Sequence, residues 1–140
     1  MITEKEFYTE YYGGPVKSCP LEKVEQVNSC SFLRFHHPEI LGFHPVNESG
    51  AGGSAQYGRY LNEAGRLNGT SDWIILHPSA SGKHPGAVVD IKRIGKSQSS
   101  PVDTDQVDFF RRAKAAGYYT AVCYGAEQFK LFLHDYVTVI

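Results

Sequence analysis

Two short runs, Ser71-Asp72-Trp73-Ile74-Ile75-Leu76 and Gly86-Ala87-Val88-Val89-Asp90-Ile91-Lys92, limit the folds open to this chain more than any other feature. Each is dominated by β-branched and apolar residues, and the polar connection 77–85 between them carries Gly and Pro. The pattern predicts two strands of one antiparallel hairpin. Asp72 opens the first strand and Asp90 lies near the end of the second, so antiparallel pairing brings both carboxylates to one end. Asp90 and Lys92 are two residues apart and point to the same face, while Ile91 points the other way, into a core. Two carboxylates and an ammonium therefore converge, which a purely structural sheet has little reason to arrange.

A D-x-K tripeptide on its own is most often an Asp–Lys pair on a solvated strand face. Here the preceding Asp72, the intervening hairpin and the apolar flanks set it apart. The chemistry that suits such a trio is metal-assisted phosphodiester hydrolysis. Mg²⁺ takes one or two carboxylates and completes its shell with water and substrate phosphate oxygens. The ion polarises the phosphoryl group and acidifies water. A neighbouring lysine orients or deprotonates that water, or offsets charge in the transition state.

The 140 residues suffice for one domain with its own core, here 21–140, preceded by an N-terminal arm over 1–20. The arm holds Phe7, Tyr8, Tyr11 and Tyr12 and a Gly13-Gly14-Pro15 turn, and reads as irregular or helical, with its aromatics packed on the domain. A helix is expected over 21–37, stopped by Pro38, with an apolar stripe of Val24, Val27, Phe32, Leu33 and Cys30. A short strand at 40–45, a weaker helix at 55–67 and the hairpin follow. Asp103-Thr104-Asp105-Gln106 opens a helix running to Ala116, closed by Gly117. A buried strand at 118–124 and a last helix from Ala126 to about His134 complete the order α–β–α–β–β–α–β–α. That order predicts an α/β fold, a mixed β-sheet flanked by helices.

Composition excludes several classes. Hydrophobic residues make up 41% and charged residues 21%, as in ordinary globular domains, and the formal net charge is −1. Any basic surface must therefore be local. Cys19, Cys30 and Cys123 are odd in number, widely spaced and lack a C-x-x-C, so neither a disulfide framework nor a zinc site is indicated. A reducing, cytoplasmic setting fits, and no apolar run is long enough for a membrane span. The glycine-rich stretch 46–54 lacks the lysine of a phosphate-binding loop, and Gly95-Lys96-Ser97 lacks its first glycine. None of the six histidines forms a helical ligand pair, and none stands out as a catalytic base.

Taken together, the residues resemble the PD-(D/E)XK nucleases, and within them the small stand-alone VRR-NUC proteins of phages and bacteria. The likeness rests on Gly69-Thr70-Ser71-Asp72, Val89-Asp90-Ile91-Lys92-Arg93, Asp105-Gln106 and Ala115-Ala116-Gly117-Tyr118 leading into Ala121-Val122-Cys123-Tyr124-Gly125. Glu25-Gln26, Phe32-Leu33 and His44-Pro45-Val46-Asn47-Glu48 extend it toward the N-terminus, so that it covers about 21–135. The resemblance implies a restriction-endonuclease-like core and a DNA phosphodiesterase dependent on Mg²⁺ or Mn²⁺. By the same resemblance the metal ligands are Asp72, Asp90, the Ile91 carbonyl and Glu25 (with Glu22 as fallback), Lys92 is the catalytic lysine, and Gln106 is the glutamine on the helix behind the site. Ser71 stands where the family has proline, and Asp90 where it more often has glutamate. The resemblance further implies branched DNA such as a junction or flap as substrate, and a homodimer; a non-catalytic DNA-binding or assembly module on the same fold is the alternative. Arg66, Arg93, Lys96 and Arg111 are the candidate phosphate contacts.

Overall fold

A computed structural model describes residues 1–45 and 54–140; the glycine-rich stretch 46–53 lies outside the described residues. The elements are β1 (Ile2–Glu4), β2 (Thr9–Tyr11), α1 (Glu22–His36), β3 (Gly42–Phe43), α2 (Ala55–Glu63), β4 (Trp73–Ile75), β5 (Ala87–Lys92), α3 (Thr104–Ala115), β6 (Tyr119–Tyr124) and α4 (Ala126–Thr138). The strands form one mixed six-stranded sheet in the order β1-β2-β6-β5-β4-β3. β5 and β6 run parallel, as do β6 and β2, whereas β4 is antiparallel to both β5 and β3. The molecule is α/β. Among the described residues no helix is long and apolar enough to cross a membrane.

Strand alternation divides the sheet into two differently covered faces. On one, Trp73, Ile75, Val89, Ile91, Ala121 and Cys123 pack with Leu33 of α1 and with Phe129, Phe132, Leu133 and Tyr136 of α4. On the other, Val88, Val122 and Tyr124 pack with Phe110 of α3. All six side chains of β5 are buried, so the strand is central in both senses. Asp90 and Lys92 follow Val88 at intervals of two and therefore lie on the α3 face.

The N-terminal arm is the main correction. Residues 2–11 are two strands of the same sheet, and β2 pairs in parallel with β6, more than a hundred residues later. The tyrosines do pack on the domain. Tyr8 meets Phe110, Tyr11 meets Phe132 and Tyr12 meets Tyr124. What holds this segment is the free edge of β6 plus aromatic burial, a non-local gain that a three-residue strand cannot display in its own sequence.

The second correction is the inward face of α1. Val24 and Val27 are exposed, and the buried positions are Glu25, Ser29 and Leu33, spaced by four residues. Glu25 can turn inward because its carboxylate accepts a hydrogen bond from the Ala126 N–H at 3.0 Å, so it caps the first turn of α4. The start of α4 is fixed on its other side by Gly125, whose φ of 94° suits glycine and whose N–H donates to the Lys92 carbonyl at 2.9 Å. One connection thus ties the D-x-K strand, α1 and α4 together.

Candidate functional site

The hairpin register carries the site. Trp73 pairs with Val89, so one step further Asp72 lies opposite Asp90. Both acids are held by backbone donors from the opposite strand. The Asp72 N–H donates to Asp90 Oδ1 at 3.0 Å, and the Ile91 N–H donates to Asp72 Oδ2 at 2.8 Å. The Gln26 side chain of α1 also donates to Asp72, and His44 Nδ1 donates to the Asp72 carbonyl at 2.5 Å. Each carboxylate keeps a second oxygen. For Asp90 this is Oδ2, which is buried and has no hydrogen-bond partner.

Burial dominates the electrostatics of the pair. Asp90 is 1% exposed, and its pKa is pushed up to about 8, first by desolvation and then by the adjacent Asp72 carboxylate. Asp72 also rises through desolvation, opposed by the Ile91 and Gln26 hydrogen bonds and by the charges of His44 and Lys92. Burial therefore favours the protonated form of both acids. Lys92, 4% exposed, lowers both, and its Nζ donates to Gln106 Oε1 at 3.3 Å. Gln106 is itself fixed by a capping box: its Oε1 accepts from the Asp103 N–H, and its N–H donates to Asp103 Oδ1. Asp72, Asp90, Lys92 and Gln106 are thus gathered at one end of the β4–β5 hairpin.

Glu25 is not part of that group. Its carboxylate is committed to α4, and it lines a different surface depression from the two aspartates. Glu22, one turn earlier on α1, is the acid whose charge is felt at Asp90. It lines both the cleft containing Asp72 and the cleft containing Lys92, so the helical acid nearest the pair is the fallback residue. Glu25→Ala is accordingly expected to act on stability, costing about 2 kcal/mol through an orphaned buried N–H and a lost helix cap. Thermal denaturation of the metal-free protein checks it. Glu22→Gln is expected to weaken Mn²⁺ binding in calorimetry.

The four candidate phosphate-contacting cations are engaged internally. Arg93 donates to the carbonyls of Cys19, Pro20 and Gln98 and fastens the 16–20 segment. Lys96 pairs with the buried Glu10 and lies over the Tyr12 ring. Arg111 pairs with Asp108, and Arg66 donates to Asn62 and to the Gly58 carbonyl. Lys23, not singled out from the sequence, is exposed and borders both clefts beside Glu22. Gln26 and His44 were also missed as partners of Asp72. The helical spacing of Glu22 and Gln26, four apart and hence on one face, was the available signal for Gln26; His44 had none.

Among the described residues no group of three or more His, Cys, Asp and Glu side chains is gathered as a cation site. The donor set is two carboxylates at the hairpin end. It fits Mg²⁺ or Mn²⁺, which accept one or two carboxylates and complete the shell with water and backbone oxygen. The unpartnered Asp90 Oδ2 is an observation of the same sense, since a cation is what would compensate it. Compared with protein-family models, curated proteins and solved structures, the chain shows no significant match.

Proposed function

We propose that this protein is a divalent-metal-dependent deoxyribonuclease with a PD-(D/E)XK-type site. The reading is carried by one observation. Asp72 and Asp90 face each other at the hairpin end with Lys92 on the same face, and Asp90 Oδ2 is buried without a partner. A buried acid pair with displaced pKa values beside a surface cleft is a physical signature of a functional site. It is an expensive arrangement for a structural sheet.

Asp72, Asp90 and the Ile91 carbonyl would hold the cation, with Glu22 in the outer shell in place of Glu25. The bound ion supplies Lewis acidity toward the phosphoryl oxygens and acidifies water. Lys92 is kept at the edge of the acid pair by Gln106. From there its ammonium positions the attacking water and offsets charge gathering on the phosphoryl oxygens. The backbone hydrogen bonds from Asp72 and Ile91 fix the acids before substrate arrives, so little reorganisation is needed during reaction. His44 steadies the Asp72 backbone.

The test is cleavage of a labelled panel of linear duplex, single strand, flap and four-way junction in Mg²⁺, Mn²⁺ and EDTA. We expect cleavage in both metals and none in EDTA. The preferred member of the panel would define the substrate. No cutting of any member in either metal would overturn the reading, and retained DNA binding would then point to a non-catalytic module.

A further inference from the structure

The two clefts that meet at Glu22 and Lys23 have opposite characters. On the Lys92 side the walls are polar, with Gln98, Ser99 and Ser100. On the Asp72 side, between α1 and the β3–β4 edge, the cleft is larger, about 620 Å³, and largely apolar. Its apolar wall is Val27, Phe43 and Trp73. Val27 is 63% exposed and Phe43 40% exposed. Trp73 is only 2% exposed and backs this wall from the core. Solvent-facing valine and phenylalanine beside a polar site mark a surface that awaits a ligand.

A nucleotide has the same division, with a polar sugar-phosphate on one side and an apolar, stackable base on the other. We infer that the apolar cleft is a nucleobase subsite, which takes one unpaired base of the strand whose phosphodiester lies at Asp72, Asp90 and Lys92. The inference rests on the nuclease reading and adds a substrate class: a strand with an unpaired nucleotide beside the scissile phosphate. Three features favour a nucleic-acid occupant. The cleft is continuous with the acid pair through Asp72 itself. Cationic side chains, Lys23 and Arg34, border it. Its exposed Phe43 ring suits base stacking, which is tolerant of sequence because every base presents a π-face. A base kept in a duplex stack cannot reach such a pocket without being unpaired.

Cys30 lines the same cleft and is partly exposed, whereas Cys123 is fully buried, so thiol alkylation reports occupancy. In a Cys19→Ser background, iodoacetamide labelling of Cys30 is followed by mass spectrometry in Ca²⁺ and again in EDTA. The probes are oligothymidylate, an abasic oligomer of equal length, and a blunt duplex. Oligothymidylate is expected to slow labelling by about tenfold, the abasic oligomer and the duplex to have little effect, and Phe43→Ala to lose the protection. Equal protection by all three, or by none, would overturn the subsite. The readout does not require cleavage, so the subsite can fail while the metal-dependent panel still succeeds, and the converse.

Discussion

Asp90→Asn is expected to stabilise the metal-free protein at pH 8 while abolishing the proposed hydrolytic activity. The stabilisation follows from proton linkage. The folded-state pKa of Asp90, about 8, lies above the value near 4 of an unfolded aspartate. Between those limits the folded protein binds more protons than the unfolded one, so the Asp90 contribution to stability falls as pH rises. It is harmless below about pH 4 and most costly from about pH 8 upward. Asparagine keeps the Oδ1 acceptor for the Asp72 N–H and places an amide beside the Asp72 carboxylate, with no charge to bury. The difference in stability between variant and wild type in EDTA should therefore be near zero at pH 4, and should grow to a few kcal/mol by pH 8. Mg²⁺ should raise the transition temperature of wild type at pH 8 and leave the variant nearly unchanged. Hydrolysis should drop by at least about a hundredfold. A pH-independent difference in EDTA would mean that Asp90 is not the buried acid its surroundings indicate.

That variant tests the part of the molecule most visible in the sequence. The hairpin was legible because its two strands are β-branched and their junction is polar. Their pairing then set Asp72 against Asp90 and put Lys92 on the same face. The N-cap of α3 was legible because Asp103 and Gln106 stand three apart, which is also what aims Gln106 at Lys92. Two features were hidden for physical reasons. β1 and β2 are three residues each, too short for periodicity, and their stability comes from pairing with β6 at the other end of the chain. In α1 the expected stripe was right for Leu33, Cys30 and Phe32 and wrong for Val24 and Val27, because an inward Glu25 is satisfied by a helix terminus more than one hundred residues later. No local rule exposes that partner. The resemblance alone assigned the helical acid to Glu25 with Glu22 as fallback; the position of α4, which engages Glu25, is what sets the two apart. The glycine-rich stretch, read as the least regular part of the chain, falls outside the described residues.

Lys92→Ala is expected to lower hydrolysis by about a thousandfold, the loss typical when one preorganised charged donor is removed from a dry site. Lys92 is almost fully buried beside two carboxylates, and its charge acts on both. Oligonucleotide affinity should change by less than about tenfold, since a group acting mainly in the transition state is lost from kcat and not from binding. Lys92→Arg should not restore the activity. A planar guanidinium is bulkier, keeps its proton at all accessible pH, and cannot take the place of an ammonium held by one Gln106 oxygen. Gln106→Ala separates positioning from chemistry. It removes the acceptor for Lys92 and half of the capping box, so a loss of about 1 kcal/mol in stability is expected with only about a tenfold fall in kcat. Gln106→Glu, which retains the Oε1 acceptor used by Lys92 and by the Asp103 N–H, should recover most of that kcat. Single-turnover rates for the four variants under saturating Mg²⁺ decide the matter. If Lys92→Ala falls no further than Gln106→Ala, the lysine serves only to offset buried charge, and the attacking water is positioned by the acids alone.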